Sequence, residues 1–506
     1  MSAWALGSDP TAPSARPLLF WSIWFIGAAL LGTVIAASPW WWLSLLVFAV
    51  PAAVLWTAWA PHVGLFLTLI LIFEVVPSDY LPKLPFGGGN LKIYDLCVVY
   101  LVTVAALRGL AQSAPIRAYL GKLWLPLLVF FGFLGVSFLY GVMVMHNKLA
   151  LAEGRNFVGW LVIPLVVLGV DSPRRFRSFF IGMLVIAIVI ACYVTIQSLL
   201  NVQIMTDARV EALDTGNKDV TRSIAGGATY LIIFFLYYYL NRMIEGKSTI
   251  FFAAPVIALM ILGLIMSFGR GVWMTSAAGL LISAWLHKGI KNALILGAVG
   301  AFLVAGLLAG MAEVKPRFVK AVTERALGIG QEVESGGSLN WRMIENRLAF
   351  ASMEKHPMMG VGIGGEYKPV ASIRNAFDIE TAYIHNGYLW FPLKLGLGGI
   401  VVPFLLIGGF FLCLRDAYRK TLPTDRALLA AAGGAFSVVV CITITQPEWE
   451  HLQEICAIAI LMSFTLLAPR FGDAFDGVRR EKLAKSALSP VGRRPQDAPA
   501  FAGASG

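Results

Sequence analysis

Five arginines and one histidine carry the chemistry this sequence could perform: Arg155, Arg222, Arg270, Arg342, Arg347 and His385. Arg155 opens one apolar run. Arg222 stands just before another, in Thr221-Arg222-Ser223-Ile224-Ala225-Gly226-Gly227. Arg270 occupies a glycine-flanked break between two more, in Ser267-Phe268-Gly269-Arg270-Gly271. A guanidinium is always charged, and its planar fork bonds two phosphate oxygens at once. Several such groups at one membrane face suit a lipid-linked pyrophosphate. A single arginine could instead snorkel to the interface with no ligand. Arg270 is set apart by its helix break near membrane depth. His385 precedes a further apolar run, in Ala382-Tyr383-Ile384-His385-Asn386-Gly387. Histidine titrates near neutrality and suits a general base on a sugar hydroxyl, although a lone histidine at a helix start is more often an ordinary interfacial residue. His62, His146, His287, His356 and His451 lack comparable context. No spacing of His, Cys, Asp or Glu points to a metal, and no cofactor is expected. Gly360-x-Gly362-x-Gly364-Gly365 follows no expected strand and reads as a turn rather than a phosphate loop.

The elements that must position these residues are membrane helices. Hydrophobic residues make up 58% of the chain and charged residues 14%; mean hydropathy is +0.75. A soluble globular chain is about half apolar and about a quarter charged. A span needs about 20 mostly apolar residues. Fourteen segments qualify, at about 17–36, 40–59, 61–76, 93–110, 122–145, 156–170, 178–200, 226–243, 248–266, 271–286, 291–310, 387–414, 427–446 and 452–469. The expected fold is therefore an all-α polytopic membrane protein with one long loop, 312–386, containing short helices at Ala312–Leu327 and Ser338–Lys355. Within it, Trp341-Arg342-Met343-Ile344-Glu345-Asn346-Arg347 lies on the second helix, whose apolar positions include Ile344, Leu348 and Ala349.

Loop charge sets the orientation. One set of short loops is dense in Arg and Lys, among them Arg174, Arg175 and Arg177, and later Arg415, Arg419 and Lys420. By the positive-inside rule that set, with both termini, is cytoplasmic. The long loop, Arg155, Arg222, Arg270 and His385 then share the periplasmic face. The net charge of +11 serves this orientation, so no nucleic-acid partner is expected. The five cysteines fall in expected spans and read as small apolar residues, with no disulfide framework. Met1–Arg16 is polar and no small-residue cleavage site follows the first apolar run, which therefore reads as an uncleaved anchor. The expected organisation is helices over 1–311, the loop over 312–386, helices over 387–469 and a disordered basic cytoplasmic tail over 470–506.

Four motifs, in order and on one side, resemble the O-antigen ligase and O-antigen polymerase superfamily. They are Arg222 before a Gly-rich helix start; Ser267-Phe268-Gly269-Arg270-Gly271; Arg342 followed by Pro357-x-x-Gly360-x-Gly362; and His385-Asn386-Gly387-Tyr388-Leu389. The resemblance is clear over 220–415. In place of the family's loop-helix Trp stands Asn346, and Lys394 stands where the family often has an acidic residue. The resemblance implies a metal-independent, inverting glycosyltransferase of the bacterial inner membrane. Its donor would be a glycan on undecaprenyl diphosphate and its acceptor a glycan or lipid-core hydroxyl. Arg222 and Arg270 would hold the diphosphate, His385 would take the acceptor proton, and Arg342 would be a third phosphate or loop-anchoring contact. Arg347, Arg155 and Asn386 complete the expected substrate-binding set. The competing class is a lipid-linked oligosaccharide flippase, which calls for charges along mid-span and two related halves; neither is visible.

Overall fold

The computed structural model describes the chain from residue 51 to 471, apart from 52–54, 58, 78–80, 82, 87–88, 112–115, 201, 203, 205–209, 213–220, 247–249, 328–337, 370–380 and 422–425. The first expected span, most of the second and nearly all of the tail lie outside the described residues. The chain divides into two compact units, Met1–Gly64 and Leu65–Gly506. The site lies wholly in the second.

Helices α1 (Pro61–Ile72) and α2 (Ile93–Ala111) flank a two-stranded hairpin, β1 (Lys83–Phe86) and β2 (Gly89–Lys92). Then follow α3 (Ile116–Met143), α4 (Ala150–Gly169) and α5 (Pro173–Leu200). A second antiparallel hairpin, β3 (Val210–Ala212) and β4 (Thr221–Ser223), pairs Glu211 with Arg222. Next come α6 (Ala228–Ile244), α7 (Ile250–Met266), α8 (Arg270–Lys288) and α9 (Ile290–Val314). The loop helices are α10 (Pro316–Leu327) and α11 (Ser338–Lys355). Last are α12 (Gly387–Leu395), α13 (Leu397–Lys420), α14 (Arg426–Ile442) and α15 (Leu452–Phe471). Among the described residues six helices are long and apolar enough to cross a membrane: α3, α4, α5, α9, α13 and α15. The protein is an α-helical membrane bundle with two short hairpins in its connections.

Burial ranks the helices. The most apolar stretch of α15 is 78% buried, whereas that of α9 is only 6% buried. A helix apolar on every side lies either in a core or in lipid, and α15 and α9 are the two cases. Close approach in the core comes from small residues. A Cβ on Gly434 of α14 would stand 2.5 Å from Ser283 Cβ and 2.6 Å from the Gly279 carbonyl of α8. Two polar contacts cross this core: Asn241 Nδ2 donates to Ser283 Oγ at 2.9 Å, and Tyr237 Oη donates to the Ser276 carbonyl.

Three boundaries depart from the sequence expectation. The expected span 387–414 is two helices, broken at Gly396. Gly396 has φ +75°, and a Cβ on it would collide with the Met358 carbonyl. The loop crosses the chain there: Val361 N–H donates to Leu393 O at 2.8 Å and Leu397 N–H to Pro357 O at 2.9 Å. Secondly, α4 begins at Ala150, so Arg155 lies within it rather than opening it. Thirdly, the first loop helix starts at Pro316 after α9 has run on to Val314; proline suits a first helical position, where its missing N–H is not needed.

The Gly360–Gly365 segment is the turn its spacing implied. Gly360, Gly362 and Gly364 have φ of +65°, +75° and +72°, a region only glycine enters freely. Asn147 Nδ2 holds it through the Val361 and Ile363 carbonyls, at 3.0 and 2.9 Å. Beneath it, Lys394 Nζ sits 3.1 Å from Glu153 Oε2 and donates to Gly365 O at 2.8 Å, while Trp390 Nε1 donates to Glu153 Oε1 at 2.8 Å. The Lys394 side chain is fully buried and that of Glu153 is 8% exposed.

Candidate active site

His385 is held by α11. One oxygen of Glu345, Oε2, accepts the His385 backbone N–H at 2.8 Å and lies 2.9 Å from the ring Nδ1. The other oxygen, Oε1, stands 2.5 Å from Lys368 Nζ, an ion pair at an angle unlike that of a hydrogen bond. Both of those side chains are fully buried, while the His385 side chain is 26% exposed. Lys368 Nζ lies 5.6 Å from the ring centres of Tyr367 and Tyr383 and 5.9 Å from that of Trp341. Tyr383 meets His385 edge-on and stacks on His451.

The electrostatics follow. Burial alone would raise the Glu345 carboxyl, but the His385 hydrogen bonds and charge and the adjoining Lys368 ammonium hold it below the usual carboxylate range. Burial, with the Glu450, Glu345 and Glu448 carboxylates, pushes the Tyr383 phenol well up, so it stays a neutral wall. With Nδ1–H donating to the carboxylate, a neutral imidazole keeps its lone pair at Nε2. Asn386 fixes the helix that follows: its Oδ1 accepts the Tyr388 and Leu389 N–H groups at 3.1 and 3.2 Å, a side-chain N-cap.

A second cluster forms where α7 stops. Phe268 is fully buried at φ +48°, a conformation that costs a non-glycine residue on the order of 1–3 kcal/mol. The carbonyls freed by the break are taken by side chains. Trp273 Nε1 donates to Leu264 O at 2.8 Å, Arg222 Nε to Ser267 O at 3.0 Å and Arg325 Nε to Phe268 O at 3.0 Å. Arg222 is thus oriented by the break, and Arg270 begins α8 directly after it. A cavity of about 60 Å³ lies here, lined by Arg222, Thr229, Tyr230, Gln446, Glu448 and Glu454; that is room for a few waters. Glu448, 4% exposed, has its carboxyl pushed up to about 8 by burial and by the charge of Glu454, opposed by a Tyr230 hydrogen bond.

The α14–α15 connection joins the two clusters. Its Gln446 and Glu448 line the Arg222 cavity, and its His451 stacks on Tyr383. Gly387 N–H donates to Thr443 O at 2.9 Å, which ties the start of α12 to the end of α14. Trp449 anchors the connection, donating to Thr443 Oγ1 at 3.0 Å and stacking on Trp160. Arg222, Arg270 and His385 therefore lie at one end of the bundle. Arg342 joins them, one turn before Glu345 on α11 and close enough for its charge to act on Tyr383. Arg347 does not: it is exposed, about 200° around the helix from Glu345. Arg155 sits 3.8 Å from buried Asp95, a tie between α4 and α2.

Glu345, Lys368, Tyr383 and Glu448 were not singled out from the sequence. The one available signal was Gln446-Pro447-Glu448-Trp449-Glu450-His451, a polar run wedged between the last two apolar segments.

Six helices long and apolar enough to cross a membrane define a multi-pass membrane protein. Residues 255–404 match the family described as O-antigen ligase, a likeness that supports the resemblance to the O-antigen ligase and polymerase superfamily and to membrane enzymes of the glycosyltransferase type. The matched segment contains Arg270, Arg342, Glu345, Lys368 and His385, with Arg222 and Glu448 outside it. No curated protein matches the chain.

Proposed function

We propose that this protein transfers a glycan from undecaprenyl diphosphate to an acceptor sugar hydroxyl during surface-polysaccharide synthesis. It acts as a repeat-unit polymerase or as an O-antigen ligase. The frame is fourteen spans in the bacterial inner membrane, with both termini cytoplasmic and the 312–386 loop and site periplasmic. In the reaction His385 Nε2 takes the acceptor hydroxyl proton as the oxygen attacks the anomeric carbon. The bond from that carbon to the phosphate oxygen breaks on the opposite face, so configuration inverts. The bonding pair leaves with undecaprenyl diphosphate. Arg222 and Arg270 offset the charge that develops there, the largest single contribution in many enzymes. No metal is required. The small cavity beside Arg222 means that the diphosphate docks at its mouth or widens it.

The observation that carries this reading is a histidine with one ring nitrogen anchored on Glu345, at the same end of the bundle as Arg222, oriented by the helix break, and Arg270, which begins the next helix. The test is transfer by purified protein from a lipid-linked donor. General-base catalysis contributes typically about 10²–10⁴-fold, so His385→Ala lowers turnover by that factor and keeps donor binding. Arg270→Ala weakens donor binding. Full turnover in His385→Ala refutes the assignment.

A further inference from the structure

We propose that Glu345 is the positioning residue for His385, and that buried Lys368 fixes which way it can work. The inference rests on His385 acting as the base. Glu345 Oε2 takes two donors from one residue, the His385 backbone N–H and the ring Nδ1. The first sets the residue in place and the second sets the ring. A proton on Nδ1 leaves Nε2 as the acceptor, the state a general base needs. When Nε2 takes the acceptor's proton, the resulting imidazolium keeps its Nδ1–H on Glu345. The carboxylate stays ionised throughout, and no proton passes to it.

Lys368 makes the arrangement directional. Its ammonium faces Oε1 from a cage of Trp341, Tyr367 and Tyr383. An ammonium has three donors and no acceptor. Glu345 therefore stands between two donor groups and needs an acceptor on both sides. Glutamine at this position has the same size but one oxygen. If that oxygen faces His385, the amide NH₂ points at the Lys368 ammonium. If it faces Lys368, the NH₂ points at Nδ1 and at the His385 backbone N–H, the ring is pushed to carry its proton on Nε2, where it blocks base catalysis, and the backbone N–H loses its acceptor. The charged lysine favours the second arrangement. A change from Lys368 to Met removes the conflict, because a flexible thioether packs well among aromatic rings.

The experiment uses the full-length protein in nanodiscs, with transfer from a lipid-linked donor and ¹⁵N-imidazole NMR side by side. His385 signals are assigned by their loss in His385→Ala. Glu345→Gln is expected to lower kcat about 10²–10⁴-fold, the range of general-base catalysis, with the donor KM little changed. The His385 spectrum should move to the Nε2–H tautomer. Glu345→Gln with Lys368→Met together should recover at least tenfold in kcat and return the ring to Nδ1–H. Wild-type kcat in Glu345→Gln beside an impaired His385→Ala overturns the positioning role alone. A double variant no better than Glu345→Gln, with a monodisperse elution profile, overturns the part given to Lys368. Full turnover in His385→Ala overturns the base reading and this inference with it.

Discussion

Raising the pH should weaken this protein through Glu448. Its carboxyl is buried beside Arg222, Tyr230 and Glu454, and is pushed up to about 8 by that burial and by Glu454. In the unfolded chain a glutamate titrates near 4.3. Between those values the folded protein holds a proton that the unfolded chain has released. Stability is then fully present below the unfolded value and lost as pH rises through the folded one. The limiting slope is about 1.4 kcal/mol per pH unit, and between pH 6 and pH 8 the loss comes to about 2 kcal/mol. For a chain of this size that is a Tm lower by a few degrees. The assay is thermal unfolding in detergent at pH 6, 7 and 8, for wild type and Glu448→Gln. The amide occupies the same volume and cannot ionise, so the variant's Tm should change less over this range. Parallel curves for the two proteins would refute the reasoning.

Arg270→Lys keeps the charge but loses the planar fork, so most transfer should be lost while the protein still inserts; unchanged glycan output would favour a snorkelling role. Reporter fusions after Lys247 and Lys420 should read cytoplasm and fusions within 312–386 should read periplasm. A cytoplasmic signal from that loop would overturn the sidedness of the site. Gly396→Ala places a Cβ against the Met358 carbonyl at positive φ, and should cut the yield of folded protein sharply, measured by fluorescence-detected size exclusion; a wild-type elution profile would show that the helix break tolerates a side chain.

The helices were legible because a span writes itself as a run of apolar residues. The gathering of Arg222, Arg270 and His385 at one end was legible from loop charge, which fixes the ends of spans without reference to the site. Glu345 was not. The periodicity of α11 marks Ile344 as part of an apolar face, yet Ile344 is 38% exposed and Glu345 fully buried. A carboxylate goes inside when partners meet it there. Those partners, Lys368 and His385, lie 23 and 40 residues further along the chain, beyond any helical period. The break at Gly396 escaped for a similar reason. Hydropathy runs on through Leu393, Leu395 and Leu397, and only the loop crossing at Met358 forces the helix to end. Glu448 hid in a connection that looked too short to hold anything.

The Lys394–Glu153 pair constrains how the residues at its two positions can change. Its two ends are 241 residues apart in sequence and both buried. Removing one partner of such a pair costs about 3–5 kcal/mol, against a total stability of roughly 5–15 kcal/mol for a folded domain. A lineage cannot readily reverse the charge at position 394 in one step and persist. It must pass through an uncharged side chain at one site while the other changes. Positions 153 and 394 should accordingly vary in concert, and Lys394→Glu alone should fail to fold until Glu153 is exchanged for a basic residue as well.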